Sequence, residues 1–229
     1  MGVSGLATLT YRLAEPFTLE RAAMIDSVVV YGYQQGAIEG PTIDFLGVEL
    51  WSGRPGDPGS TRILGDVALD ALTDVEHAGA YVANAGVRFT TDRPVYALSA
   101  GGLDWDVPAG SYWLVWTMNG TLDGGPYSPY LGDEAEPRLG EAMQRVLGAW
   151  RPARNRTEGG VQVSLPFDIY GVAPCPADLD GDGVLTVFDY LAFFNAFASG
   201  DLAADCDGDG TLTLSDFQCY QRAFLEGCD

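Results

Sequence analysis

Over the first 171 residues, short apolar runs rich in β-branched and aromatic residues alternate with turns that contain glycine and proline. Runs of this length and composition are typical of β-strands. The pattern predicts strands over 6–13, 25–33, 45–51, 81–90, 95–100, 111–118 and 161–170. Residues 141–150 match a helix and a strand equally well. No long helical period competes, so we expect a mainly β domain, an antiparallel β-sandwich of jelly-roll-like form.

The most regular alternation lies at 111–118, where successive side chains point to opposite faces. Trp116 falls on one face and Trp113 on the other. The two rings are therefore expected on opposite sides of the sheet.

Residues 175–229 follow a different pattern, in which an acidic loop and then an apolar helical stretch occur twice, 27 residues apart. Each loop has carboxylates at positions 1, 3, 5 and 12, a glycine at position 6 and a backbone carbonyl at position 7. This arrangement surrounds a hard cation with oxygen ligands. The first loop offers Asp178, Asp180, Asp182, Val184, Thr186 and Asp189. The second loop offers Asp205, Asp207, Asp209, Thr211, Thr213 and Asp216.

The spacing predicts two calcium ions, one in each loop. Asp189 and Asp216 at position 12 are shorter than the usual Glu, and we still expect both to be direct ligands. Unmetallated, the converging carboxylates repel one another, so calcium is expected to stabilise the fold. The tail is therefore expected to fold only with calcium. In the simplest alternative, calcium only holds this tail together and has no further role.

Each loop is followed by a helix, but neither loop has an entering helix of its own before it. Pro174 and Pro176 stand before the first loop, where they disfavour a helix. Between the loops there is room for one exiting helix, about 189–198, and a short connector. We expect the domain boundaries at 1–171 for the β-sandwich, 172–174 for a connector and 175–229 for the tail.

This loop–helix repeat resembles the dockerin module. The flanks Cys175-Pro176-Ala177-Asp178 and Gly227-Cys228 look like the GC-type dockerin found at the C-termini of bacterial extracellular proteins. The resemblance covers about 175–229 and implies docking to a cohesin-like partner. Loop positions 10 and 11 hold Val187-Phe188 and Leu214-Ser215, where familiar dockerins tend to have a Ser-Thr-like pair. The resemblance therefore supports calcium binding more strongly than it supports a particular binding partner.

All four cysteines lie in the tail. An even number of cysteines in a small module with little core predicts disulfides, and the absence of CxxC spacing disfavours a zinc site. At the 27-residue offset, one pair of cysteines aligns with Leu179 and Ala192, an apolar pair whose members are expected to touch. The predicted disulfides are Cys206–Cys219 and Cys175–Cys228.

One face of the first helix differs from its counterpart in the second copy. Phe188, Leu191 and Phe194 lie on about one helical face. They align with Ser215, Gln218 and Gln221, which are polar. The apolar face is therefore not required by a shared core, and we expect it to bind another protein or this chain's own β-domain.

The charge of the chain excludes some partners. With 32 acidic residues, 12 Arg and no Lys, the net charge is −20, divided equally between the tail and the rest. Phosphates would be repelled, so we expect no nucleic-acid binding. No apolar stretch reaches 18 residues, so we expect no membrane insertion. No signal peptide is evident at the start, but calcium loops favour a secreted protein at the cell surface or outside the cell. The sequence is therefore interpreted as a mature or trimmed chain.

The sequence contains few of the residue types that catalysis requires, and we expect that the protein is not an enzyme. His77 is the only histidine and is expected in a surface loop; no thiol lies outside the tail. The acidic groups at Asp104 and Asp106 and over 133–136 are expected to be solvated. All five tryptophans lie before the tail, and Trp105 is near a predicted loop. Two alternatives to simple docking remain: a carbohydrate-binding module carried by the dockerin, and a self-assembling extracellular filament or surface-layer subunit.

Overall fold

The computed structural model describes residues 2–4, 11–37, 39–82, 91–131, 139–155, 160–172, 175–180 and 184–227. The fold is mainly β, with antiparallel sheets, and two α-helices follow near the C-terminus. Contacts between residues divide the chain into two compact units, 1–172 and 173–229.

The strands of the described residues lie in the first unit. They are β1 (Gly2–Ser4), β2 (Arg12–Leu19), β3 (Ala23–Gly32), β4 (Ile43–Ser52), β5 (Thr61–Gly65), β6 (Leu72–Tyr81), β7 (Pro94–Ala100), β8 (Trp105–Val107), β9 (Gly110–Gly120), β10 (Tyr127–Pro129), β11 (Met143–Val146), β12 (Ala149–Pro152) and β13 (Phe167–Val172). One sheet has the order β12-β11-β2-β9-β4-β5, and a second has the order β13-β3-β7-β6 with β8 paired to β3. Strands β1 and β10 form a separate pair.

The main hydrophobic core of this unit takes buried residues from both larger sheets. Leu50 and Trp116 come from the first sheet, and Val28 and Leu98 come from the second. Trp113, on the opposite face of β9, packs in a different cluster, so the predicted separation of the two tryptophans is confirmed.

Four of the predicted strands are confirmed as β3, β4, β7 and β9. The prediction for 6–13 was misplaced, since the strand runs over Arg12–Leu19 and 6–10 lie outside the described residues. Residues 141–150, left open between helix and strand, form β11 and begin β12. The prediction for 161–170 began too early and ended too soon, because Gln162 and Val163 make only isolated bridges and β13 runs over Phe167–Val172.

Strand β6 was not predicted. Its side chains are mostly exposed, so it lacks the apolar alternation that marks a half-buried strand. The predicted strand at 81–90 overlaps it only at Tyr81, and 83–90 lie outside the described residues. His77 is exposed, as expected, but lies in β6 and not in a loop. Val172, expected to begin the connector, is the last residue of β13.

The second unit contains helices α1 (Val187–Ser199) and α2 (Leu214–Glu226), with a 3₁₀ turn at Leu202–Ala204 between them. Within the described part of the chain, no helix combines the length and the apolar character required for crossing a membrane.

The core of the second unit follows the internal repeat. Its fully buried members are Ala177 with Ala204 and Phe193 with Tyr220, and each pair is related by the 27-residue offset. The rings of Phe193 and Tyr220 stack with centroids 4.0 Å apart and an interplanar angle of 9°. The Tyr220 hydroxyl donates to the carbonyl of Ala177 at 3.1 Å. Equivalent residues of the two copies therefore meet in one small core.

Candidate metal centre

The first loop brings three carboxylates together. One oxygen from each of Asp178, Asp180 and Asp189 lies within 4.8 Å of the others. Asp189 is fully buried and lies in the first turn of α1, Val187–Ser199. Asp182, the predicted ligand at position 5, lies outside the described residues.

The second loop forms a similar group from Asp205, Asp207 and Asp209, again with one oxygen of each within 4.8 Å of the others. The loop backbone turns around the first of them. The Asp205 carboxylate accepts hydrogen bonds from the N–H groups of Gly208 at 2.9 Å and Gly210 at 2.8 Å. Gly210, at position 6, has φ +81, which is the reason that this position favours glycine.

The position-12 carboxylates connect each loop to its helix. Oδ1 of Asp189 accepts from the N–H groups of Leu179 at 3.0 Å and Asp180 at 3.3 Å. Oδ1 of Asp216 accepts from the N–H of Asp207 at 3.4 Å. Both side chains are fully buried. Each position-12 residue therefore holds the first half of its own loop against the helix that follows.

The other oxygen of each position-12 carboxylate caps the helix. Oδ2 of Asp189 accepts from the N–H of Thr186 at 2.7 Å, and Oδ2 of Asp216 accepts from the N–H of Thr213 at 2.7 Å. The threonine hydroxyls complete capping boxes at both helix starts. Sequence reasoning read these four residues only as calcium ligands. The Thr-x-x-Asp spacing, a capping-box signal, could have shown their second role.

The two position-12 residues differ in their relation to the carboxylate groups. Asp189 belongs to the first carboxylate group, whereas the second group, among the described residues, consists of positions 1, 3 and 5. The hydroxyl of Thr213 accepts from the N–H of Ser215 at 3.2 Å and so points toward the helix. Direct ligation by Asp216 and by the two threonines stays a prediction.

Local hydrogen bonds and charges shift the pKa of three of these carboxyls. The N–H of Thr186 lowers the pKa of Asp189, and the N–H of Thr213 lowers the pKa of Asp216 in the same way, so both stay ionised. The pKa of Asp207 is raised. The N–H of Asp209 lowers it, but loss of solvation and the neighbouring carboxylates together outweigh that hydrogen bond.

The chemistry of these groups fits a hard cation. Every side-chain atom that could bind a metal in the two clusters is a carboxylate oxygen, the ligand that calcium and magnesium prefer. A bound cation would relieve the mutual repulsion of the carboxylates. Val184 and Thr211, at position 7, are both exposed, and their carbonyls stay predicted ligands.

The two loops lie side by side in the tail. The position-1 residues, Asp178 and Asp205, line one cavity of about 350 Å³ together with Cys206 and Tyr220. The predicted first ligands of the two loops therefore border the same cavity.

One predicted disulfide is confirmed. Cys206 and Cys219 are bonded, with Cα atoms 5.8 Å apart. Cys175 is also disulfide-bonded. Its predicted partner, Cys228, lies outside the described residues.

The predicted docking face on α1 is exposed. Phe188, Leu191 and Phe194 are 67%, 52% and 45% exposed. Phe194 also contacts the ring of Phe217 at a centroid distance of 5.7 Å, so it lies at the border between this face and the core. The polar counterparts on α2 are exposed as well.

The structure also places the candidate residues of the first unit. Asp104 and Asp106 are exposed, and 133–136 lie outside the described residues. Trp105, expected near a loop, is buried in β8 because that strand pairs with β3 and turns the ring into the core. None of the five tryptophans is exposed, and Trp51 packs edge-to-face against Trp150.

Comparison with family models, with curated proteins and with solved structures finds no match to this chain.

Proposed function

We propose that 175–229 form a dockerin-like module that binds two calcium ions and docks this protein to another extracellular protein. The two carboxylate groups within 4.8 Å carry this proposal, because positions 1 and 3 of a repeated loop come together in both copies. Asp178, Asp180 and Asp189 would hold one ion. Asp205, Asp207 and Asp209 would hold the other.

The proposed role of calcium is structural support for a binding surface. The tail has a net charge of −10, and two ions would neutralise four of its negative charges. Each loop is bonded directly to the start of its helix through a position-12 carboxylate. Metal binding would therefore fix the start of α1, which begins at Val187, next to Phe188.

The proposed docking surface is the exposed face formed by Phe188, Leu191 and Phe194. Three large apolar side chains about half exposed or more on one face of an acidic module are typical of a protein contact. The second copy of the repeat carries polar residues there, so the fold of the tail does not require apolar ones.

For 1–171 we propose a non-catalytic antiparallel sandwich of jelly-roll-like form, carried by a secreted protein. The core shared by the two larger sheets supports the sandwich arrangement. Sugar binding is disfavoured, because its argument depended on exposed tryptophans and all five rings are at least partly buried.

A pull-down with the full chain as bait tests this function. Wild type and the variant with Phe188→Ser, Leu191→Gln and Phe194→Gln would be compared, in calcium and in chelator, against the extracellular proteins of the source. We expect capture by wild type in calcium only, and no capture by the variant.

The variant carries the residues of the second copy, so it should still bind calcium. Equal capture by variant and wild type would contradict the assignment of the docking face. Loss of calcium binding in the variant would show that this face belongs to the core. Light scattering of the chain alone, with and without calcium, tests self-assembly as the competing outcome.

A further inference from the structure

We propose that the Cys206–Cys219 disulfide positions the second loop for metal and makes that loop the tighter of the two calcium sites. The proposal depends on the calcium binding proposed above. It assigns an affinity-determining role to two residues whose sulfur atoms are not calcium ligands.

The connectivity of the disulfide is the first observation. Cys206 is at position 2 of the loop, between the carboxylates of Asp205 and Asp207. Cys219 is on α2, three residues after Asp216, and therefore on the same side of the helix. The bond joins the part of the loop that carries ligands at positions 1 and 3 to the helix that carries position 12.

Backbone hydrogen bonds to the position-12 carboxylate run parallel to this crosslink in both copies. In the first loop, Asp189 accepts from two backbone N–H groups, at 3.0 Å and 3.3 Å. In the second loop, Asp216 accepts from the backbone N–H groups of Asp207, at 3.4 Å, and of Cys206. The disulfide therefore adds a covalent link to hydrogen bonds that both copies make.

The first loop has no covalent counterpart. Leu179 and Ala192 occupy the positions equivalent to the two cysteines, and both are partly buried in the tail. Without a covalent bond, only the folded core of the tail keeps these positions in place. A covalent bond holds them together also when the loop is open.

The metal-free loop should open, because three carboxylates within 4.8 Å repel one another. Calcium must then order the loop again, which costs conformational entropy. A crosslink between residues 13 apart removes many of the open conformations in advance. In the chain-entropy treatment the full effect is on the order of a hundred-fold in affinity. Because α2 already restricts one end of the loop, we expect about a ten-fold effect.

The experiment measures calcium affinity of the full chain by calorimetric titration with calcium chloride. Two backgrounds isolate the loops. Asp178→Ala with Asp180→Ala removes two carboxylate ligands and disables the first loop, and Asp205→Ala with Asp207→Ala disables the second in the same way.

Into each background we would introduce Cys206→Leu with Cys219→Ala, which installs the residue pair of the first copy. With only the second loop active, we expect calcium to bind about ten-fold more weakly than with the disulfide intact. With only the first loop active, we expect no change. Equal affinity of the second loop with and without the disulfide would overturn the proposal.

A reciprocal variant decides the question if the loss variant does not fold. Leu179→Cys with Ala192→Cys places a disulfide at the same position of the first loop, and mass spectrometry of non-reduced peptides establishes its formation. We expect the first loop to bind calcium about ten-fold more tightly. Unchanged affinity with the new bond formed would refute the inference. Absence of calcium binding in both backgrounds, with native cysteines, would instead refute the proposed function.

Discussion

Removing the threonine that caps each helix separates capping from metal ligation. In the second copy, the Thr213 hydroxyl accepts from the N–H of Ser215 at 3.2 Å and donates to Asp216 at 3.4 Å. In the first copy, the Thr186 hydroxyl makes the equivalent bonds at 3.1 Å and 3.2 Å. Loss of an N-cap side chain typically costs about 1 kcal/mol and at most about 2 kcal/mol of folding free energy.

Because the two copies make the same bonds, we expect Thr213→Ala and Thr186→Ala each to destabilise the tail by about 1 kcal/mol. For a module of this size, 1 kcal/mol corresponds to a fall of roughly 4–8 °C in Tm. The matched controls are Thr213→Ser and Thr186→Ser, which keep the hydroxyl.

Two signals make the assay specific. All five tryptophans lie before the tail, and both α-helices of the described residues lie within it. Far-UV circular dichroism therefore follows the tail, and tryptophan fluorescence follows the β unit. Thermal unfolding in saturating calcium should show a lower helical transition and an unchanged fluorescence transition.

The number of bound calcium ions supplies the refuting result. Because both hydroxyls point toward the helix, the alanine variants should still bind two ions. If Thr213→Ala folds and binds one ion, the hydroxyl is a ligand and the capping interpretation is wrong.

Two further predictions concern tyrosines. The hydrogen bond from Tyr31 to Asp168 (2.7 Å) raises the pKa of Tyr31 to about 12, so its contribution to stability is present below pH 10 and is lost as the pH rises through 12. Denaturant unfolding across this window should show a smaller alkaline loss in Tyr31→Phe than in wild type, and parallel profiles would contradict this. Tyr220→Phe removes the buried bond to Ala177 but keeps the stack, so we expect about 1 kcal/mol of destabilisation of the tail. An unchanged helical transition would show that this bond contributes nothing.

The strands that sequence could locate are those with one buried face or two. Strand β9 carries apolar residues on both of its faces, because each face packs in its own core cluster. Strand β6 is mostly exposed, so its sequence contains little record of its pairing with β7. Trp105 was misjudged because its burial results from pairing with a strand distant in sequence, which no local pattern shows.

The candidate metal site was more predictable than the sheets. Its residues lie within two short segments whose spacing determines which carboxylates can meet, and the structure brings positions 1 and 3 together in both loops. The sequence could not resolve whether the residue at position 12 binds metal, caps the helix or does both. In Thr186-Val-Phe-Asp189 the same residues satisfy the pattern of a calcium loop and that of a capping box, so the sequence is compatible with both roles and the geometry shows that the capping one is used.

Calorimetric titration of the metal-free full chain with calcium tests the central claim most directly. Followed in parallel by far-UV circular dichroism, it should show two bound ions and a gain of helical signal, since the proposed loops hold the starts of both helices. The variant with Asp178→Ala and Asp205→Ala, which removes the first ligand of each loop, should lose both responses. A stoichiometry of zero or one in the wild-type chain would contradict the account.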